Sequence, residues 1–345
     1  MKVIAQPAFG VRENNPYTWL LYHKMPAQVT DFSYRRSFAD YYDIFHIHWP
    51  EWELNEIHSA TKAAARLKLK LMLIDALRAR GTKIVWTVHN LKSHEGLHPR
   101  LEEWFWSAFT RKLDGFISLT DSGRDAAKER FPSLKHVPSY VIPHGHYRDE
   151  YPLDVCTDAR KQVGISSDAK VILFFGQIRE YKNVPALIRA FRAIKGKNVI
   201  LCIAGRPNPN TLARELRAAS SDDPRIHLHL ENIPKERVQF FFRAADLVTL
   251  PYRDILNSGT ALLALSFNRP ILVPKRGAMS DLQGSVGTEW VRQYHGDLKA
   301  EDLEHALTWA TESPRLHVAL LSDLEWPKIA GQTLKAYDEI ISRRE

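Results

Sequence analysis

Short apolar runs recur at 43–47, 83–88, 115–119, 170–175, 198–203, 225–230, 246–250 and 270–273, and each gap between them has room for at least one helix. Short apolar runs that alternate with longer helical patterns suit the strands of parallel α/β units. Neighbouring parallel strands need a crossover of a dozen or more residues, usually helical. The pattern therefore predicts an α/β chain built on parallel sheets.

With 345 residues, 44% of them hydrophobic, the chain can fill two cores of ordinary size. The alternation breaks over 143–165, PHGHYRDEYPLDVCTDARKQVG, before a fresh strand begins. Three parts are expected: residues 1–150, 151–325, and a final helical segment 326–345. Cys156 and Cys202 lie far apart without metal-ligand spacing, so neither a disulfide framework nor a zinc site is expected. No apolar run reaches the ~18 residues of a membrane span, and the N-terminus lacks a secretory apolar core. A soluble or surface-associated intracellular protein is the expectation. The net charge of +8 favours anionic partners. It is spread over both halves with no RNA-recognition or helix-turn-helix pattern, which argues against nucleic acid.

The segment 250–274, LPYRDILNSGTALLALSFNRPILVP, reads as strand end, small-residue turn, helix and strand. Pro251 stops the first strand because it has no N–H to donate. Asn257, Ser258, Gly259 and Thr260 then open a helix whose unpaired N–H groups and dipole suit a phosphate, with Tyr252 nearby. An ordinary helix cap explains the same four residues. After strand 171–175, Gly176 leads into a loop with Arg179 and Lys182, two cations at a strand's carboxyl end. A third strand-end loop carries Gly205 and Arg206 and reads equally well as a plain turn.

Histidines and carboxylates gather in three loops of the first half: His46, His48 and Glu51; His89, His94 and Glu95; His144, His146 and Asp149. His46 and His48 share one face of a strand. Histidine titrates near neutrality and a partly buried carboxylate can do so, so these loops offer a general base. A metal at His46, His48 and His89 or His94 is the alternative, without any HExxH spacing to favour it. Segment 61–83 sets seven Lys or Arg (Lys62, Arg66, Lys68, Lys70, Arg78, Arg80, Lys83) against Asp75 among leucines, as a membrane-surface helix would, and 101–109 adds Trp and Phe. Packing on a sheet explains both as well.

Taken in order, GxIRxYK after a strand, AG after the next, then LPY and NSGT before LAL, resemble the nucleotide-binding half of GT-B glycosyltransferases. HIHWPE, HNLKSHE, HGHYRD and NPYTWLLY extend the likeness to the β-mannosyltransferases of bacterial exopolysaccharide (xanthan) assembly. The resemblance implies two Rossmann-like domains facing a central cleft, with a C-terminal helix returning to the first. It implies transfer of a hexose, mannose from GDP-mannose, to a polyprenyl-diphosphate-linked oligosaccharide, with no cofactor and no obligatory metal. A UDP-sugar donor (glucose or glucuronic acid) and a GT-B sugar-nucleotide epimerase remain alternatives, as does a non-catalytic sensor.

Arg179, Lys182, Ser258, Gly259 and Thr260 would hold the leaving diphosphate; His89, His144, Gly205, Arg206, Tyr252 and Asn257 complete the donor contacts. The base would come from the first domain: Glu51 first, then Glu95 and Asp149, with His48 also in the catalytic set. Many retaining relatives carry a Glu-x7-Glu pair where this chain has Asp254 or Ile255 and Leu263, so the resemblance points to an inverting enzyme. Gln177 departs too, standing where an arginine is common. The acceptor implies a cytoplasmic protein held peripherally on the anionic inner face of the plasma membrane.

Overall fold

The computed structural model describes every residue except Asn14, His94, Cys156, Lys197, Arg344 and Glu345. The expectations placed on His94 and Cys156 lie outside the described residues.

Two compact units divide the chain, residues 1–145 with 323–345 and residues 146–322. In unit 1 the strands are β1 (Lys2–Gln6), β2 (Gln28–Asp31), β3 (Ile44–Ile47), β4 (Lys83–Val88), β5 (Gly115–Ser118) and β6 (Ser139–Val141). They lie in the order β2-β1-β3-β4-β5-β6, every pairing parallel. Unit 2 has β7 (Lys170–Phe175), β8 (Val199–Ala204), β9 (Ile226–His229), β10 (Leu247–Thr249), β11 (Ile271–Pro274) and β12 (Val291–Tyr294). Their order is β12-β11-β10-β7-β8-β9, again all parallel.

The two orders explain where ligands can go. Strand order reverses between β1 and β3 in unit 1 and between β7 and β10 in unit 2, and open α/β sheets bind ligands outside the strand carboxyl ends at such switch points. The loop after β3 holds His48 and Glu51; the loops after β7 and β10 hold Lys182 and Ser258.

The cores follow from the apolar runs. Val3, Ile4, Ile44, Phe45, Ile84, Val85 and Trp86 are fully buried in the first sheet. Four strands went unread in the sequence. β1 is a short run at the very start, and β2, β6 and β12 keep half-exposed positions because β2 and β6 are edges and β12 pairs on one side only.

The helix Trp326–Ser342 belongs to unit 1. Two glycines seat it: a Cβ on Gly115 would overlap Ile340, and one on Gly145 would overlap the Trp326 indole. The unit boundary falls at Gly145/His146, not at residue 150, so Asp149 sits in unit 2 and leaves the group of first-domain base candidates.

Two surface expectations are corrected. Helix Ala60–Ala79 does present Lys62, Arg66, Lys68, Leu69 and Met72 outward, but Lys70 is 1% exposed. Its ammonium donates to Glu53 at 2.5 Å and to Pro50 O at 3.0 Å. In helix Pro99–Thr110, Phe105, Trp106 and Phe109 are core, Trp106 tilted against Trp86 with ring centroids 5.2 Å apart and Phe109 edge-on to it at 5.8 Å; Trp104 alone of the run's Trp and Phe side chains is exposed. Among the described residues no helix is long and apolar enough to cross a membrane.

Candidate active site

In unit 2, β7 is followed by Gly176, whose φ of 106° a larger residue would rarely adopt. A Cβ there would stand 3.2 Å from Thr260 Oγ1 and 3.6 Å from Lys182 Nζ, so the bare glycine leaves a gap walled by one hydroxyl and one ammonium. Thr260 is in the first turn of helix Gly259–Ser266, and Ser258 caps it by accepting from Ala261 N at 3.2 Å. The cap reading and the phosphate reading are thus compatible: the Ser258 side chain meets one N–H of the four a helix start leaves unbonded. Asn257, Ser258, Gly259 and Thr260 are all half-buried, open enough for a ligand to reach.

Lys182 is 8% exposed in the 3₁₀ turn Glu180–Lys182, and its ammonium lies 5.4 Å from the Tyr252 ring centroid. Burial, with the Arg179 charge added, pushes it down to about 7. Among the described residues no carboxylate pairs with it. A desolvated cation without a counter-charge is a costly arrangement unless an anion arrives. Tyr252 is buried and its hydroxyl faces the same turn, close to Thr260 and Ser258. Arg179 is half-buried, its Nε donating to Gln177 Oε1 at 3.1 Å.

The third loop has a different part. Gly205 has φ 146°, and a Cβ on it would overlap the Gly176 carbonyl. Ile178 N donates to Arg206 O at 2.9 Å and Asn208 N to Ile178 O at 2.8 Å. Gly205 therefore holds the β8 loop against the β7 loop and keeps Gly176 in place, while the Arg206 side chain is exposed.

In unit 1 the histidines form one buried network. His46 Nδ1 meets Tyr337 Oη at 2.5 Å and Tyr22 Oη at 2.8 Å; its Nε2 meets Thr87 Oγ1 at 2.7 Å. Tyr22 Oη also meets His48 Nε2 at 2.6 Å, and His48 Nδ1 meets His89 Nε2 at 3.1 Å. Tyr17 packs edge-on against His89 and His144, both 4.8 Å between centroids, and against Trp326 at 5.4 Å. With neutral rings the protons between Tyr22, His48 and His89 can run in either order, Tyr22 donating to His48 and His48 to His89, or the reverse. Burial keeps the rings neutral: His46 is pushed down to about 3 and His144 to about 4, and His48 and His89 fall well below the usual imidazole range.

The base candidates now separate. His48 is fully buried with both ring nitrogens engaged, one by Tyr22 and the other by His89. Glu51 opens the short helix Trp52–Glu56, is 1% exposed and accepts from Asn90 Nδ2 at 2.8 Å. Burial pushes its carboxyl up to about 7, against the pull of the Asn90 hydrogen bond and of Lys70. Glu95 is exposed, its backbone N–H donating to Asn55 Oδ1 at 3.2 Å. Asp149 is exposed on unit 2. His144 is half-buried, its Nδ1 donating to Gly145 O at 2.7 Å. Among the described residues no three His, Cys, Asp or Glu side chains are grouped to hold a metal ion.

Sequence reading missed Tyr17, Tyr22, Thr87, Asn90 and Tyr337 as members of this site. Tyr17 and Tyr22 lie in the NPYTWLLY stretch and could have been weighed; Tyr337, 291 residues from His46, gave no local signal.

Residues 156–319 match the family model described as glycosyl transferases group 1. Over 331 residues the chain is 31% identical to a GDP-mannose:glycolipid 4-beta-D-mannosyltransferase of Xanthomonas campestris, covering 95% of this chain and 89% of that one. A glycosyltransferase of Rickettsia africae shares the fold with a TM-score of 0.68 at 11% identity, over 99% of both chains. Anabaena HepE, solved with UDP and glucose, gives a TM-score of 0.64 at 16% identity, covering 99% of this chain and 98% of that one.

Proposed function

Because the chain belongs to the group 1 glycosyl transferases, an α/β family of GT-B fold, we propose that it moves mannose from GDP-mannose to a hydroxyl of a polyprenyl-diphosphate-linked oligosaccharide in bacterial exopolysaccharide synthesis. The observation that carries this reading is Lys182: a buried ammonium with no carboxylate partner among the described residues, beside a glycine gap and the start of a helix. A nucleoside diphosphate supplies the missing negative charge, and Lys182, Thr260 and the helix N-terminus stabilise it as it leaves. These groups, with Arg179, take the leaving-group role in place of an obligatory metal.

The acceptor hydroxyl attacks the anomeric carbon as the diphosphate departs, and a base in unit 1 takes its proton. Glu51 has the pKa for this, since a base near 7 is half ionised at neutral pH. A single displacement inverts the anomeric centre, which the apolar Leu263 in place of a donor-facing glutamate favours. His89 and His144 stay neutral and contact the donor as hydrogen-bonding groups. The acceptor is reached from an anionic membrane surface on the cytoplasmic side, met by Lys62, Arg66, Lys68, Leu69 and Met72.

Thermal denaturation with GDP, UDP and ADP tests the donor: GDP should raise the midpoint most, and no response to any of the three overturns the reading. Turnover of GDP-mannose with a lipid-linked acceptor, followed by NMR of the anomeric proton, should give the β product. An α product would overturn inversion.

A further inference from the structure

Unit 2 contains a cavity of about 570 Å³ at the opposite end of helix Gly259–Ser266 from Thr260, within the size range of small-molecule sites. Eight residues of helix separate it by ~12 Å from the phosphate seat. Its wall includes Arg148, Arg243, Arg269 and His317, with Tyr151 and Phe267, and among the described residues no carboxylate.

The Arg243 charge bears unfavourably on the Arg269 guanidinium, and an anion between them relieves it. Arg243 spends its donors on backbone carbonyls, those of Asp154, Val155 at 3.3 Å and Thr157 at 3.2 Å. Arg269 Nε is buried with no hydrogen-bond partner among the described residues. The acid facing Arg269 is Asp246, already held by both oxygens on Arg160 at 3.0 and 3.1 Å. Burial first, then the charges of Arg160 and Arg243, push the Arg269 guanidinium below its usual range. Arg148 ties the walls together, donating to Asn268 Oδ1 at 3.1 Å and to Ala319 O at 2.6 Å.

We propose that this cavity is a second ligand site of unit 2, taking a phosphate-bearing small molecule with its phosphate among Arg148, Arg243 and Arg269 and its uncharged part against Tyr151 and Phe267. A phosphate that draws on Arg148 competes with its bonds to Asn268 and Ala319, so occupancy is coupled to the segment 317–319. The site stands independently of which donor the protein uses.

Inorganic pyrophosphate is the probe, titrated calorimetrically into the full chain at fixed ionic strength. Pyrophosphate also enters the diphosphate seat, so the wild type should show two binding events and Lys182→Gln, with that seat weakened, should keep the one that belongs to this cavity. Arg269→Gln should weaken the cavity event at least tenfold. His317→Glu, on an exposed residue that leaves every arginine in place, should do the same by setting a carboxylate in the cavity. All binding lost in Lys182→Gln, a cavity event within twofold of wild type in His317→Glu, or no binding by any form overturns the proposal.

Discussion

Tyr337 Oη lies 2.5 Å from His46 Nδ1, joining the C-terminal helix to the third strand across 291 residues of sequence. His46 in turn shares Tyr22 with His48, and His48 reaches His89. The position of the proposed donor-contacting His89 is thus set partly by the last helix of the chain. Tyr337→Phe removes one buried hydrogen bond, worth about 1 kcal/mol net, and leaves the ring's packing intact. The melting midpoint should fall by about 2–4 °C. kcat/KM should fall as well, by severalfold, while Ile340→Val, which trims the same helix without touching the network, should lower stability alone. Equal activity in Tyr337→Phe and wild type would detach the network from catalysis.

Glu51 gives a prediction in pH. Its folded pKa of about 7 stands above the ordinary 4.5, so between these values the folded chain keeps a proton that the unfolded chain has lost. Stability from this group is present below pH 4.5 and is lost as pH rises through 7. Glu51→Gln should therefore gain in stability relative to wild type between pH 5 and pH 8, as read from denaturant midpoints. As base, the carboxylate is active when ionised, so kcat should rise through pH ~7 in wild type, and Glu51→Gln should lose roughly 10²–10⁴ in kcat and that limb with it. Near-normal turnover in the folded variant would pass the role to Glu95.

Lys182 runs the opposite way. Its folded pKa of about 7 lies below 10.5, so over that window the unfolded chain carries a proton the folded chain lacks, and stability rises with pH. A bound diphosphate restores the proton. GDP binding should take up a proton at pH 8, measurable as a dependence of calorimetric heat on the buffer's ionisation enthalpy, and GDP affinity should fall as pH climbs above 7. Lys182→Met should be more stable than wild type without nucleotide and bind GDP at least tenfold more weakly. Proton-independent binding would place the diphosphate away from this ammonium.

On helix Ala60–Ala79, Leu69 is 45% and Met72 66% exposed beside Lys62, Arg66 and Lys68. Replacing both with Asp should abolish sedimentation with anionic vesicles at low salt and leave the melting midpoint within about 2 °C, since exposed substitutions cost little. Lys70→Met is the contrast: it strips Glu53 of its partner inside the fold and should destabilise without acting on lipid directly. Unchanged sedimentation in the double Asp variant would remove this face from any membrane role.

What the sequence disclosed depended on how local the cause was. β7 and β4 were legible because strands covered on both faces have almost no polar residues. The turn at Ser258 was legible because cap, glycine and helix formers are consecutive. Which way a residue faces was not: Lys70 and the Phe105–Phe109 aromatics read as surface groups and are core, because the sheet and the neighbouring helix decide that. Gly205 read as a ligand contact, and its reason is the Gly176 carbonyl on another loop. Asp149 read as a first-domain acid because PHGHYRDE is continuous in sequence, whereas the fold divides that stretch after Gly145.

The return of residues 323–345 to unit 1 also orders the protein's birth. During synthesis the first sheet emerges before unit 2, yet the Trp326, Tyr337 and Ile340 side chains that cover it emerge only after unit 2 has been made. Unit 2, one unbroken stretch, can mature while translation continues; unit 1 must wait with an apolar face uncovered, open to chaperones and proteases. Loss of residues 323–345 would thus strike hardest at His46, His48 and His89, far earlier in the sequence.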